Sequence, residues 1–90
     1  SITPREALAA SIPTIVSNNT AHKTICDSNV VKSVKSAIQI PAYYSLFNSY
    51  LGSKFNCKVE DTCNALKDVY NNYDIYLKKA QNGREWVKQY

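Results

Sequence analysis

Val59-Glu60-Asp61-Thr62-Cys63-Asn64-Ala65-Leu66-Lys67-Asp68-Val69-Tyr70-Asn71-Asn72-Tyr73-Asp74-Ile75-Tyr76-Leu77-Lys78-Lys79-Ala80 is the stretch on which the fold reading turns. Val59, Cys63, Leu66, Tyr70, Tyr73, Leu77 and Ala80 recur at alternating steps of four and three, the spacing of heptad a and d positions. The pattern predicts one helix over roughly 59–82, about 36 Å long. Glu60 and Asp61 in its first turn, and Lys78 and Lys79 near its end, suit the helix dipole. Gly83 is predicted to close it, with a further turn or two over 84–90.

Working outward, Thr3-Pro4-Arg5-Glu6 is a helix-start signal: a capping threonine, a proline at the first helical position and a capping-box glutamate. Leu8, Ile12, Ile15 and Val16 follow on one helical face. Pro13 lacks the donor a helix interior needs, so this helix is expected to end near Ser11 or to kink. Ser17-Asn18-Asn19-Thr20 reads as a loop. A second helix is expected after the Asp27-Ser28 cap, carrying Val30, Val34, Ala37 and Ile38 and ending before Pro41. A third is expected over 42–51, through Tyr43, Tyr44, Leu46, Phe47, Tyr50 and Leu51, with Gly52 as its stop. The expected fold is therefore all-α: one helical domain over 1–90, a bundle of three to five helices with a long C-terminal helix, stapled by one local disulfide.

Ninety residues bury only about 60–65% of the surface of the unfolded chain, so the core is small. Three cysteines are present, Cys26, Cys57 and Cys63. Cys57 and Cys63 are the local pair and the leading candidates for a bridge; pairings with Cys26, or three free thiols, are the alternatives. A bridge would imply an oxidising compartment, periplasmic or secreted. No apolar run approaches the length of a membrane span. The chain begins at Ser1 and contains no methionine, which leaves room for a removed leader or N-terminal membrane tether.

Little in the sequence speaks for catalysis. His22 is the only histidine, in a polar loop before Cys26, and two glycines cannot build a phosphate-binding loop. His22, Cys26, Cys57 and Cys63 could in principle form a Cys₃His zinc site, but the second spacing fits poorly. No cofactor or metal is expected. A net charge of +4, with the basic residues spread along the chain and only two arginines, does not make a nucleic-acid stripe. The expected partner is a protein. Tyrosine anchors interfaces well. Tyr44 lies off the face shared by Tyr43, Phe47 and Tyr50, and Tyr76 lies off the a/d stripe, so both are expected at the surface. With Lys54 and Lys58 steering an acidic partner, these four are the candidate partner-binding residues.

Tyr43-Tyr44-Ser45-Leu46-Phe47-Asn48-Ser49-Tyr50, a short basic link, Cys57-Lys58-Val59-Glu60-Asp61-Thr62-Cys63 and the long helix with Tyr70 and Tyr73 resemble the later half of the lysis-inhibition antiholins of T-even-type phages. The resemblance covers about residues 43–79. It implies a helical periplasmic domain, first tethered by an N-terminal anchor, that binds the periplasmic domain of a holin and delays lysis. It also implies a Cys57–Cys63 disulfide; Cys26 departs from the pattern. The alternatives are a secreted or periplasmic helical protein of immunity, effector or chaperone type, and a structural subunit of a larger assembly, including a homo-oligomer.

Overall fold

In the computed structural model, which describes residues 2–36 and 38–90, helix α1 covers Ile2–Ala9. It ends where Pro13 forces an end. Ser11 adopts φ 58°, its N–H bonds the carbonyl of Leu8, and the N–H of Ile12 bonds that of Ala7. These are the two bonds of a Schellman cap, here closed by a serine in place of the usual glycine. Strand β1 (Ile15–Asn18) follows, then a single 3-10 turn at Thr20–His22 and a short helix α2 (Lys23–Asp27). The chain returns as strand β2 (Lys32–Lys35), parallel to β1 with Ile15 opposite Lys32 and Asn18 opposite Lys35. Strands β3 (Ile38–Tyr44) and β4 (Ser49–Asn56) form a separate antiparallel hairpin. Helices α3 (Val59–Asn71) and α4 (Tyr73–Val87) complete the chain.

The fold is thus mixed α/β, against the all-α expectation: Ile15 and Val16, read onto the face of the first helix, and Ser17-Asn18, read as loop, form β1. The helix expected from Ser28 to Ile40 is instead β2 and the start of β3, with Ala37 outside the described residues. The aromatic helix expected over 42–51 is the end of β3, a four-residue turn and the start of β4. The long helix exists but is broken. Asn72 sits at φ −125°, ψ 40°, and its amide Nδ2 donates to the carbonyl and carboxylate of Asp68 at 3.1 and 2.8 Å. An asparagine side chain that bonds the preceding turn competes with the helical backbone, so the helix stops and restarts.

The core lies where α1, the β1–β2 pair, α2 and α4 meet. Leu8, Val16, Ile25, Val30, Val31 and Ala80 are its buried members, with Cys26, Trp86 and Val87 packed against it. Gly83 is not a stop: it lies inside α4 and lets α1 approach closely. A Cβ there would stand 2.7 Å from Leu8 Cδ2 and 3.3 Å from Val30 Cβ. Arg5 fixes the far end of the same contact, its guanidinium lying 4.2 Å from the Tyr90 ring centre and 5.3 Å from that of Trp86.

A polar corner joins the helices to the sheet. The Asp68 carboxylate on α3 accepts Lys32 Nζ from β2 at 2.9 Å and the Tyr76 hydroxyl from α4. Those two donors, Tyr76 first, together with Asn72 stabilise the carboxylate and lower its pKa to about 2. The same contact raises Lys32 and Tyr76 above their ordinary values.

Two outcomes follow from this packing. Valine at Gly83 is expected to destabilise the fold by about 1–3 kcal/mol, and Leu8→Ala by about 2–5 kcal/mol. In the double variant the costs should fall short of their sum, because removing the Leu8 side chain opens the space a Cβ at 83 needs. Urea midpoints measure this, and strictly additive costs would contradict the contact. Asp68 binds its proton more weakly folded than unfolded, so its stabilisation is present above its ordinary value of 3.8 and is lost as pH falls towards about 2. In Asp68→Asn that acid-limb loss should shrink; an unchanged profile of melting temperature between pH 5 and about 2 would contradict it.

Candidate functional site

The hairpin is the part of the chain that the fold leaves uncovered. β3 and β4 pack on each other and on little else. Register runs from Ile38 opposite Asn56 to Pro41 opposite Ser53, then resumes at Tyr43 opposite Tyr50 and Tyr44 opposite Ser49. The irregularity sets Leu51 and Gly52 against Ala42, and Gly52 takes φ 71°, a bulge position that suits glycine. Pro41 is tolerated because the ribbon has two strands and each is an edge. Ser45-Leu46-Phe47-Asn48 makes the tip: Phe47 N–H bonds Tyr44 O, Asn48 N–H bonds Ser45 O, and Asn48 adopts φ 45°. Across the ribbon the Tyr43 and Tyr50 rings lie 5.2 Å apart in a tilted pair, and the Tyr43 hydroxyl donates to Asn48 Oδ1.

Nearly all of this apolar surface is open. Leu46 is 87% exposed and Phe47 64%, with Tyr43, Tyr44, Tyr50 and Leu51 exposed beside them. No aspartate or glutamate occurs between Asp27 and Glu60, whereas Lys32, Lys35, Lys54 and Lys58 do. Lys54 stands on β4 opposite Ile40. Lys58 precedes α3, and with Lys35, Ile38, Asn56 and Asp61 it lines a small cavity at the hairpin's foot. The arm therefore has an apolar tip and a cationic base.

Of the four partner-binding candidates, Tyr44, Lys54 and Lys58 belong to this arm or its foot and are exposed. Tyr76 does not. It is only 9% exposed and its hydroxyl is held on Asp68, so it is a buried structural residue. The reason is which face turns inward: Ala65 on α3 and Tyr76, Ala80 and Gly83 on α4 are buried, while Val59, Leu66, Tyr70 and Tyr73 of the a/d stripe are exposed, so a residue off the stripe meets the core. Tyr43, Phe47 and Tyr50, read as one shared helical face, are exposed on the arm together with Leu46 and belong to the surface.

The expected disulfide is absent. Cys26, Cys57 and Cys63 are all free, with Cys57 half-buried and Cys63 exposed. Cys57 lies in the link between β4 and α3, while Cys63 points off the outer side of α3. The Cys₃His set is not brought together, and no group of three or more potential metal-ligating side chains converges among the described residues. His22 Nδ1 lies 3.1 Å from both the hydroxyl and the carbonyl of Ser17. This is a local brace from the 3-10 turn to β1. Its neighbour Asn19 donates to the buried Ser36 hydroxyl at 2.8 Å, tying the same turn to the end of β2.

Thiol reactivity separates the three cysteines. Burial, with Asp27 nearby, pushes the Cys26 thiol above its ordinary value, so it carries little thiolate at neutral pH. A colorimetric thiol reagent applied to the native chain is expected to label the exposed Cys63 first and Cys26 last, with three thiols titrating after denaturation without reductant. One titratable thiol would instead restore a disulfide. Comparison with protein-family models, curated proteins and solved structures finds no match to this chain.

Proposed function

We propose that this chain is a binding module that grips a protein partner with the β3–β4 arm. The observation that carries this reading is a hairpin exposed over nearly its whole length, Ala42 being its one buried residue, with Leu46 and Phe47 open at its tip. An isolated two-stranded ribbon is marginal in water and gains stability from a third strand or a covering surface. Exposed aromatic and aliphatic side chains gathered on one projection mark an interaction site more often than a solvated surface. Tyrosine, phenylalanine and leucine at the tip supply contact area. The acid-free stretch with Lys54 and Lys58 at the base favours a partner whose rim is acidic and speeds its encounter. Both hairpin edges also offer unpaired backbone groups to an incoming strand.

The antiholin resemblance implied an aromatic helix and a Cys57–Cys63 bond, and the hairpin and the free thiols replace both. The oxidising compartment was inferred from the same bond. The proposal accordingly keeps the protein-binding role and the acidic partner, without the holin or the periplasm. No helix among the described residues is long and apolar enough to cross a membrane.

A photo-crosslinking residue placed at Phe47, in cells of the natural source, is expected to give one discrete protein adduct. The same residue at the exposed Gln81 on α4 should give none. Lys54→Glu with Lys58→Glu should lower the yield by about threefold or more, as loss of steering charge does. Equal labelling from 47 and 81, or adducts to lipid alone, would contradict the reading.

A further inference from the structure

A second apolar surface lies on α3, away from the hairpin. Val59, Cys63, Leu66 and Tyr70 form a continuous stripe on one side of the helix, and all are exposed, Val59 by 80% and Tyr70 by 84%. The opposite side carries Ala65, buried, and Asp68, held on Lys32. So the heptad stripe is real, but it points to solvent. At its C-terminal end, Leu66, Val69, Tyr70 and Tyr73 with Ile15 of β1 line an open, mostly apolar groove of about 480 Å³.

We propose that this stripe is the contact between two copies of this chain, paired antiparallel along α3. Apolar layers form in either direction, and the flanking charges favour the antiparallel one. When a second α3 is reversed against the first, Cys63 faces Leu66 of the second copy and Val59 faces Tyr70 of the second copy. Each pairing occurs twice, giving four apolar layers of the a-against-d kind that antiparallel helices form. The charged residues flanking the stripe then decide the direction. Glu60 and Lys67 both lie on its solvent side, seven residues apart. Reversal brings Glu60 of each copy beside Lys67 of the other, two opposite-charge contacts. A parallel pair would set Lys67 against Thr62 and leave Glu60, at the start of the helix, without a helical partner, gaining nothing from charge. The same register brings Val59 of one copy to the groove beside Ile15, Tyr70 and Tyr73 of the other.

A helix of this length is about 20 Å long, so the area buried sits at the low end for specific interfaces and the pair is a weak, reversible one. Sedimentation equilibrium of the purified chain, up to about 500 µM, reads it directly. The expected result is a monomer–dimer equilibrium with a dissociation constant in the micromolar range. Leu66→Glu, at a position already exposed, should weaken it by about tenfold or more and leave the circular dichroism spectrum unchanged. Glu60→Lys and Lys67→Glu should each weaken it several-fold, since each sets like charges together twice. The double variant Glu60→Lys/Lys67→Glu should restore the wild-type constant. A monomer throughout the range would overturn the proposal. So would a dimer indifferent to Leu66→Glu, which would place the contact elsewhere, or single charge variants that the double variant does not rescue.

Discussion

The carboxylate of Asp68 receives donors from three separate parts of the chain: Lys32 from β2, Tyr76 from α4 and Asn72 from the break between the C-terminal helices. Few other polar contacts among the described residues link elements so distant in sequence. It fixes which side of α3 faces the sheet. With Asn72 it marks where the long helix stops, and through Tyr76 it holds the start of α4 beside it. Tyr76, Ala80 and Gly83 then face inward, and Gly83 admits Leu8 from α1. Because a polar residue on the inner side of α3 is tied to the sheet, the apolar stripe on the outer side has no intramolecular partner. The same corner thus closes the body and leaves a surface uncovered.

Some of this was legible in the residues. Thr3-Pro4-Arg5-Glu6 fell in the first turns of α1, though the helix begins at Ile2 and Thr3 lies inside it rather than capping it; Pro13 marked its end and Glu60-Asp61 the first turn of α3, because prolines and terminal charges act through local chemistry that travels with the sequence. The strands were not legible, for two different reasons. β2 is four residues long and buries one of them, Val34, so it cannot distinguish a period of two from the helical one. The hairpin buries only Ala42, and its one apolar–polar alternation, Ile38-Gln39-Ile40, is too short to tell a strand from a helix. Tyr43 and Tyr44 are consecutive and both exposed. The turn residues Asn48 and Gly52, both at positive φ, were the available signal, and the helical spacing of the aromatics outweighed it.

The binding candidates divided along the same line. Lys54, Lys58 and Tyr44 remained on the surface whether their segment was helix or strand. Tyr76 depended on which face of the C-terminal helices turns inward, and the heptad stripe pointed to the other one. The heptad stripe was read correctly as a pattern and incorrectly as a core. A repeat of apolar residues says that a face is to be covered, but not whether the cover comes from the same chain. In a chain of this size the hairpin arm and the α3 stripe together hold much of its large apolar surface, and both readings of function arise from that excess.

The central claim is that Asp68 sets the phase of the two C-terminal helices against β2. Nuclear Overhauser contacts around Tyr76 test it most directly. The account predicts contacts from the Tyr76 ring to the Lys32 side chain, with helical connectivities interrupted at Asn72 and none from the Leu66 methyls to β2. An unbroken helix from 59 to 82 with Tyr73 and Leu77 turned to the sheet, and Tyr76 in solvent, would contradict it.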